Sequence, residues 1–472
     1  MLWSVTTDNG FIVQNSWGGT WGYLGFARLT YADWLANGVD AWVAVMGVPV
    51  KGASSNLLLS STRLVGRLAP NLARGLANGA TAAAAAQPRR QAQWSLQECV
   101  EHALVIGHRG LPERVTISDA TVSEAVEKVV FERPSKWLAS QPAKAAKRIV
   151  IYVHGGLNDL DDGIARTSIL GPCFQDNGSY PIFAVWQSGL LESICDIVQG
   201  AAESVVPGRW ERGILDEIRE KLGDATDYLI EQLASVPGTA IWNNMKVRCT
   251  SAAAPGGAME LFINGLVRLK EQHPKLEVHA IGHSAGSIMI GDMLPVLTRR
   301  KLKLDTCALY APACSVAFAR NTYLKAIKSG TLDASSVVID LLSDPNERAD
   351  SVGPYLKSLL YLVSRSFEAH KTPILGMDAV WNAKLDKDGV FNDDKANLDV
   401  AVAKWREDWK AAGGQDPIAV QKKEVATGPG TSQQARHGCF DNWVEGISAT
   451  INRMRHEKVG QSLDRPVGSL EY

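Results

Sequence analysis

The sharpest change of rhythm along the chain lies in Lys275 to Leu294, KLEVHAIGHSAGSIMIGDML. Val278 to Ile281 is a short, mostly apolar run that ends at a glycine, and from Ser287 to Leu294 apolar residues return at helical spacing, so the pattern predicts a strand turning directly into a helix. Ile149 to Val153 is an unbroken run of β-branched and aromatic residues, the composition of a strand buried on both faces. The same reading predicts strands at His102 to Ile106, Val129 to Phe131, Tyr180 to Trp186, Leu304 to Tyr310, Val337 to Leu342 and Thr372 to Met377. It predicts helices at Ser123 to Lys128, Ile164 to Gln175, Gly257 to Gln272, Val316 to Ser329, Pro354 to Glu368 and Trp443 to Arg455. Strands alternating with helices imply an α/β architecture, a mostly parallel sheet with helices on both faces.

Two stretches interrupt that alternation. From Gly189 to about Val247 no strand stands out, and Ile214 to Leu233 carries apolar residues at three- and four-residue spacing with charges opposite, which predicts a helical cap inserted before the strand at Val278. Asp378 to Thr431 is charged and reads as helical, broken at Gly413-Gly414; beyond Glu457 the chain is polar and is expected to fray. At the other end, Gly10 to Gln14 and Trp21 to Leu29 read as strands and Tyr31 to Asn37 as a short helix. Gly52 to Ser95 is dominated by Ala, Ser, Gly and Asn and reads as a tether. The expected organisation is a small β-rich fragment at 1–50, a linker at 51–93, an α/β domain at 94–460 with helical insertions near 189–256 and 378–431, and a tail at 461–472.

Composition narrows the classes of partner. With 49 basic and 50 acidic side chains the net charge is −1, which supplies no electrostatic reason to bind nucleic acid or an acidic membrane. No apolar run approaches the roughly 18–20 residues of a membrane span. No basic-then-apolar leader pattern stands at the N-terminus, so the default expectation is a cytoplasmic protein. The seven cysteines are scattered and form no C-x-x-C pair, which argues against zinc and against a disulfide framework; buried free thiols are the simpler reading, and no cofactor is expected.

The predicted strand–helix junction holds Gly282-His283-Ser284-Ala285-Gly286, a G-x-S-x-G. A serine at such an apex sits in strained backbone with its hydroxyl exposed, and residues two before and two after must lack side chains to avoid collision. The buried strand at Ile149 runs into His154-Gly155-Gly156, where glycines let backbone N–H groups approach a ligand. Further on come Asp344 and Asp350, after the strand ending near Leu342, and His437 in a glycine-containing loop. These segments in this order resemble the α/β-hydrolase superfamily, lipase- and esterase-like branch, over about three quarters of the chain. The resemblance implies a serine hydrolase acting on a small-molecule or lipid ester through an acyl-enzyme. Ser284 would be the nucleophile and His437 the base; Ala285 and the Gly155, Gly156, Leu157 loop would hold the oxyanion. His283 points away from an adjacent serine, His154 shapes its loop, His279 lies inside a strand and His370 precedes the last predicted strand. The acid is Asp350 or Asp344. Asp344 precedes Pro345 among turn formers, whereas Asp350 opens Asp-Ser-Val-Gly-Pro, similar to the Asp-x-Val-Pro segment of lipases, and is preferred.

Near the N-terminus, Asn15-Ser16-Trp17-Gly18, Trp21-Gly22 and Gly25-Phe26-Ala27-Arg28 resemble the C-terminal end of papain-like cysteine peptidases over about forty-five residues. The resemblance implies that Asn15 matches the asparagine that orients the catalytic histidine and Trp17 the tryptophan that shields it. A papain-type site also needs a cysteine and a histidine upstream, and the fourteen residues before Asn15 contain neither. The expectation is a vestige or, preferably, a reading frame that begins partway through a longer fusion. Two alternatives to the esterase stand beside it: a binding module of the same fold that has lost its triad, and the C-terminal part of a peptidase–hydrolase fusion.

Overall fold

We analysed a computed structural model of the chain, which describes Ser4–Thr7, Gly10–Gln14, Phe26–Thr30 and residues 93–107, 109–113, 121–156, 160–186, 190–205, 223–382 and 395–470. The first three segments are strands β1 (Ser4–Thr7), β2 (Gly10–Gln14) and β3 (Phe26–Thr30), joined as an antiparallel sheet in that order. Asn15, Trp17, the helix read at Tyr31 to Asn37 and nearly all of the linker lie outside the described residues.

The main sheet is built from β4 (Ala103–Ile106), β5 (Pro112–Glu113), β6 (Arg148–Val153), β7 (Tyr180–Trp186), β8 (Glu277–His283), β9 (Thr306–Tyr310), β10 (Val337–Leu342) and β11 (Ile418–Val420). Their spatial order is β11-β10-β9-β8-β6-β7-β4-β5. Seven strands run parallel and only β5 is antiparallel to its neighbour. Parallel strands need crossover segments, and the helices between them cover both faces, so central strands must be apolar throughout. Ile149, Val150, Ile151 and Val153 are all fully buried, which is why that run carries no alternation. Each such side chain contributes about 1.5–3 kcal/mol by leaving water. At the entry to the two central strands Arg148 Nε donates to Glu277 Oε2 at 2.8 Å, consistent with the register that pairs Arg148 with Glu277 and Val153 with Gly282.

From β6 the chain crosses through the helix Leu160–Gln175 to β7 on one side, then returns through helical segments to β8 on the other side of β6. The strand order therefore reverses between β6 and β8, and a crevice opens beyond their carboxyl ends, where open α/β sheets bind ligands. The Gly155 turn follows β6, and the Ser284 turn follows β8.

Several elements depart from the sequence reading. Val129 to Phe131 is not a strand; it lies in a π-helical turn, Lys128–Glu132, between the helices Val122–Glu127 and Arg133–Ser140. A three-residue apolar run fits a buried helical turn as well as a strand. Thr372 to Met377 makes only isolated bridges, Ser315 with Ile374 and Leu342 with Met377. The edge strand next to β10 is instead β11, inside the stretch read as a helical insertion. That stretch does contain the helix Lys395–Ala411, but it continues into β11 and into the hairpin of β12 (Glu424–Gly428) and β13 (Thr431–Gln434). Three residues, one of them exposed, are too few to print a strand period. The helix expected from Pro354 begins only at Leu359, capped by Ser358. The segment expected to fray is held in place: Leu470 is fully buried and its N–H donates to the Thr427 carbonyl at 2.8 Å.

The stretch between β7 and β8 is helical where described, as Leu190–Val205 and Gly223–Ala253. The longer helix is bound to the segment after Asp350 by buried polar contacts. Asp227 accepts from the Leu356 N–H at 2.9 Å and from Lys357 Nζ at 2.5 Å, and Tyr355 donates its hydroxyl to Glu231 at 2.7 Å. Breaking such a buried charge pair from one side typically costs about 3–5 kcal/mol, so this helix is fixed to the body of the domain. Among the described residues no helix is long and apolar enough to cross a membrane.

Candidate active site

Ser284 follows β8 with φ of 52°, in the left-handed region that a residue with a side chain rarely adopts. The main chain holds it there. Its N–H donates to the Tyr310 carbonyl at 2.8 Å, and its carbonyl accepts from Ala313 at 3.0 Å, from Ser287 N–H at 3.1 Å and from Ser287 Oγ at 2.7 Å. Such a conformation costs of order 1–3 kcal/mol and persists only where the surroundings over-determine it. The flanking glycines are required by space: a Cβ on Gly286 would lie 2.3 Å from the Val153 carbonyl oxygen, and one on Gly282 would lie 2.7 Å from Ile290. The turn delivers Ser284 to the start of the helix Gly286–Arg299, with Ala285 as its N-cap.

His437 arrives from the far edge of the sheet, at the start of the turn His437–Asn442 that follows the β12–β13 hairpin. Its Nε2 lies 2.9 Å from Ser284 Oγ. Burial alone pushes the imidazole down to about 4, so at neutral pH the ring is uncharged. For Nε2 to accept from the serine hydroxyl, the proton of the neutral ring must sit on Nδ1, and among the described residues Nδ1 is buried with no hydrogen-bond partner.

The two candidate acids are placed very differently. Asp350, buried, ends the short helix Asp344–Ala349; its Oδ2 accepts from the His437 backbone N–H at 2.8 Å and its Oδ1 from the Ser351 N–H at 2.8 Å. Burial raises its carboxyl above the usual range, against the lowering effect of those two bonds and of Arg436. Asp344 is the first residue of that helix. It accepts from the Tyr361 hydroxyl and, at 2.7 Å, from Arg348 Nε, and is not among the described residues that line the cavity with Ser284 and His437.

A buried polar cluster behind the serine was not legible in the sequence. His283 Nδ1 lies 3.0 Å from Asp441 Oδ2, and its Nε2 lies 3.0 Å from the His437 carbonyl oxygen. Asp441 also accepts from the Tyr152 hydroxyl and pairs with Arg166. Burial first, then His437 and Arg166, push the His283 imidazole well below the usual histidine range. One signal pointed here: Arg166 stands in Ile164-Ala-Arg-Thr-Ser-Ile-Leu170, and a cation within a helix buried all round needs a buried partner. Asp441 had no such signal.

Gly155 presses on the serine: a Cβ there would come within 3.3 Å of Ser284 Cβ. His154 fixes the turn, its Nδ1 2.7 Å from the Gly155 carbonyl and its Nε2 accepting from the Trp186 N–H at 3.1 Å. Gly156 is the next residue of this turn, and Leu157 lies outside the described residues. His279 is buried within β8 and His370 is exposed; neither lines the site. Ser284, His437 and Asp350 line a cavity of about 550 Å³, with Val352 and Leu359 on its apolar side, Gln433 and Gln434 from the hairpin, and Arg436 just before His437. The helix Leu190–Val205 contributes Cys195 to its wall; the seven cysteines are all free, six of them buried. Among the described residues no three His, Cys, Asp or Glu side chains are placed to hold a metal ion. No family model, no curated protein and no solved structure matches this chain.

Proposed function

We propose that this chain is a serine hydrolase of the α/β-hydrolase type that cleaves carboxylic esters. The observation that carries the reading is a serine hydroxyl at a left-handed strand–helix apex, 2.9 Å from the Nε2 of a buried, neutral histidine, at the mouth of a cavity. A serine hydroxyl is a poor nucleophile at neutral pH until a base takes its proton. His437 Nε2 takes that proton as Oγ attacks the ester carbonyl, then returns it to the leaving alcohol. Water repeats the sequence on the acyl-enzyme. Negative charge on the carbonyl oxygen is met by the Ala285 N–H and by the glycine turn at Gly155 and Gly156; a single such donor is worth about 2.7–4 kcal/mol in the transition state. Asp350, already on the His437 main chain, is the acceptor for the Nδ1 proton once substrate closes the site, since catalytic hydrogen bonds in an empty site are often long. The cavity volume suits a small ester rather than a polymer, and the fixed helix Gly223–Ala253 serves the cap as a wall.

The test is labelling of the purified protein by a fluorophosphonate probe, followed by an ester series of increasing acyl length. A second reading, a binding module of this fold without catalysis, draws on one observation: Asp350 bonds the histidine's main chain rather than its ring. A wild-type protein that binds an ester yet neither labels nor turns over would favour it.

Two further outcomes are expected. The base works unprotonated, and burial lowers its pKa from 6.5 to about 4. Its protonation, and with it the loss of kcat/KM, should therefore come as pH falls through about 4, leaving activity level from neutral pH down to about 5. An acid limb centred near 6.5 contradicts this. Among the described residues, those lining the cavity come from Gly155 onward, and deleting residues 1–90, with the papain-like fragment, should leave ester hydrolysis unchanged. Cleavage of a dipeptidyl fluorogenic substrate by the full chain, blocked by an epoxide inhibitor of cysteine peptidases, would show that the fragment works.

A further inference from the structure

The main chain of His437 is gripped on both sides by buried side chains. Its N–H donates to Asp350 Oδ2 at 2.8 Å, and its carbonyl accepts from His283 Nε2 at 3.0 Å. Among the described residues its ring makes one hydrogen bond, between Nε2 and Ser284 Oγ, and Nδ1 has no partner. The placement of the ring thus depends on where the backbone of His437 is held. A carbonyl can only accept, so His283 Nε2 carries a hydrogen whatever the charge of the ring. On the other side of that ring one proton lies between Nδ1 and Asp441 Oδ2, 3.0 Å apart. Asp441 is held in turn by Arg166, from the helix Leu160–Gln175, and by Tyr152 of β6. The arm therefore runs from the two central strands to the turn that bears His437. It starts one residue before Ser284, so the dipeptide His283-Ser284 holds His437 at two points, carbonyl and ring. The His283 side chain lines the same cavity as Ser284 and reaches the main chain of the base.

We propose that His283 is a positioning residue: through Nε2–H it fixes the carbonyl of His437, and so the reach of the His437 ring to Ser284. Its catalytic consequence rests on the hydrolase reading above; the clamp itself does not. A misplacement of about 1 Å at a reacting group can cost about 100-fold in rate.

The experiment compares His283→Ala and His283→Gln with wild type for ester kinetics, melting temperature and histidine ¹⁵N spectra. His283→Ala should lower kcat by about 100-fold with KM within about twofold, the signature of a lost transition-state alignment. Glutamine retains an N–H able to reach the carbonyl and should recover at least about tenfold of that loss. Wild-type spectra should show a protonated His283 Nε2 coupled across the hydrogen bond to the His437 carbonyl. An alanine variant with wild-type kcat overturns the proposal, as does a glutamine variant as slow as alanine while both melt like wild type. If the variants do not fold, an unprotonated His283 Nε2 in the wild type overturns it and the coupling supports it. A wild type that the fluorophosphonate does not label defeats the hydrolase reading instead, and the coupling then judges the clamp alone.

Discussion

Ser284→Ala should abolish fluorophosphonate labelling and lower ester turnover by at least about three orders of magnitude. The size of the effect follows from what is lost. In the proposed mechanism the hydroxyl is the group that forms the acyl bond, and among the described residues the one hydrogen bond it makes is to His437 Nε2. The remaining chemistry, an oxyanion pocket without a nucleophile, can only assist attack by water. The fold should not suffer. The bonds that hold the apex are made by the Ser284 main chain with Tyr310, Ala313 and Ser287, and none uses the Oγ of Ser284. Alanine is also smaller than serine, so the contact between residue 284 and Gly155 is not crowded further. The melting temperature should stay within about 3 °C of wild type, since the substitution invokes none of the mechanisms that destabilise strongly. Undiminished labelling of the alanine variant would place the reactive serine elsewhere.

The parts of the architecture that could be read from sequence are those where one local rule suffices. The β6 run and the β7 run are apolar from end to end because both faces of a parallel sheet are covered, and their limits were set by the residues themselves. The turn at Ser284 was legible because sterics demand glycine at 282 and 286, and a hypothetical Cβ at each collides as that argument requires. Legibility failed where structure depends on a distant partner. β11 is a strand only because β10 offers it an edge, and its three residues carry no period of their own. Leu463, Val467 and Leu470 looked like isolated apolar residues in a polar tail, yet each is buried. The same holds in the site. Ser284 and the glycine turn announce themselves locally, whereas the Arg166–Asp441–His283 chain joins residues 158 and more positions apart, and no spacing rule connects them.

The acid gives the second large effect. Asp350→Asn should lower turnover by about four orders of magnitude, while Asp344→Asn should leave it within about threefold of wild type. An asparagine at 350 can still turn its carbonyl oxygen to the His437 N–H, which Asp350 Oδ2 now accepts at 2.8 Å, so the turn should keep its place. Its other end is an amide NH₂, which donates and cannot accept. In the proposed mechanism the Nδ1 proton then has no acceptor when substrate is bound, the neutral ring prefers to carry hydrogen on Nε2, and a protonated Nε2 cannot take the proton of Ser284. Stability should not fall in step. Glu347 is fully buried, and burial first, then the charges of Asp344 and Asp350, raise its carboxyl well above the usual range, so removing the charge at 350 relieves a repulsion. Asp344 is otherwise employed. It accepts from Tyr361 and from Arg348 at 2.7 Å, the latter a half-exposed pair worth at most about 1 kcal/mol. The variants are compared by kcat at matched melting temperature. Loss of turnover in Asp344→Asn with Asp350→Asn near wild type would reverse the assignment. Full activity in both would mean that the Nδ1 proton needs no carboxylate, and that His437 is aligned through its main chain alone.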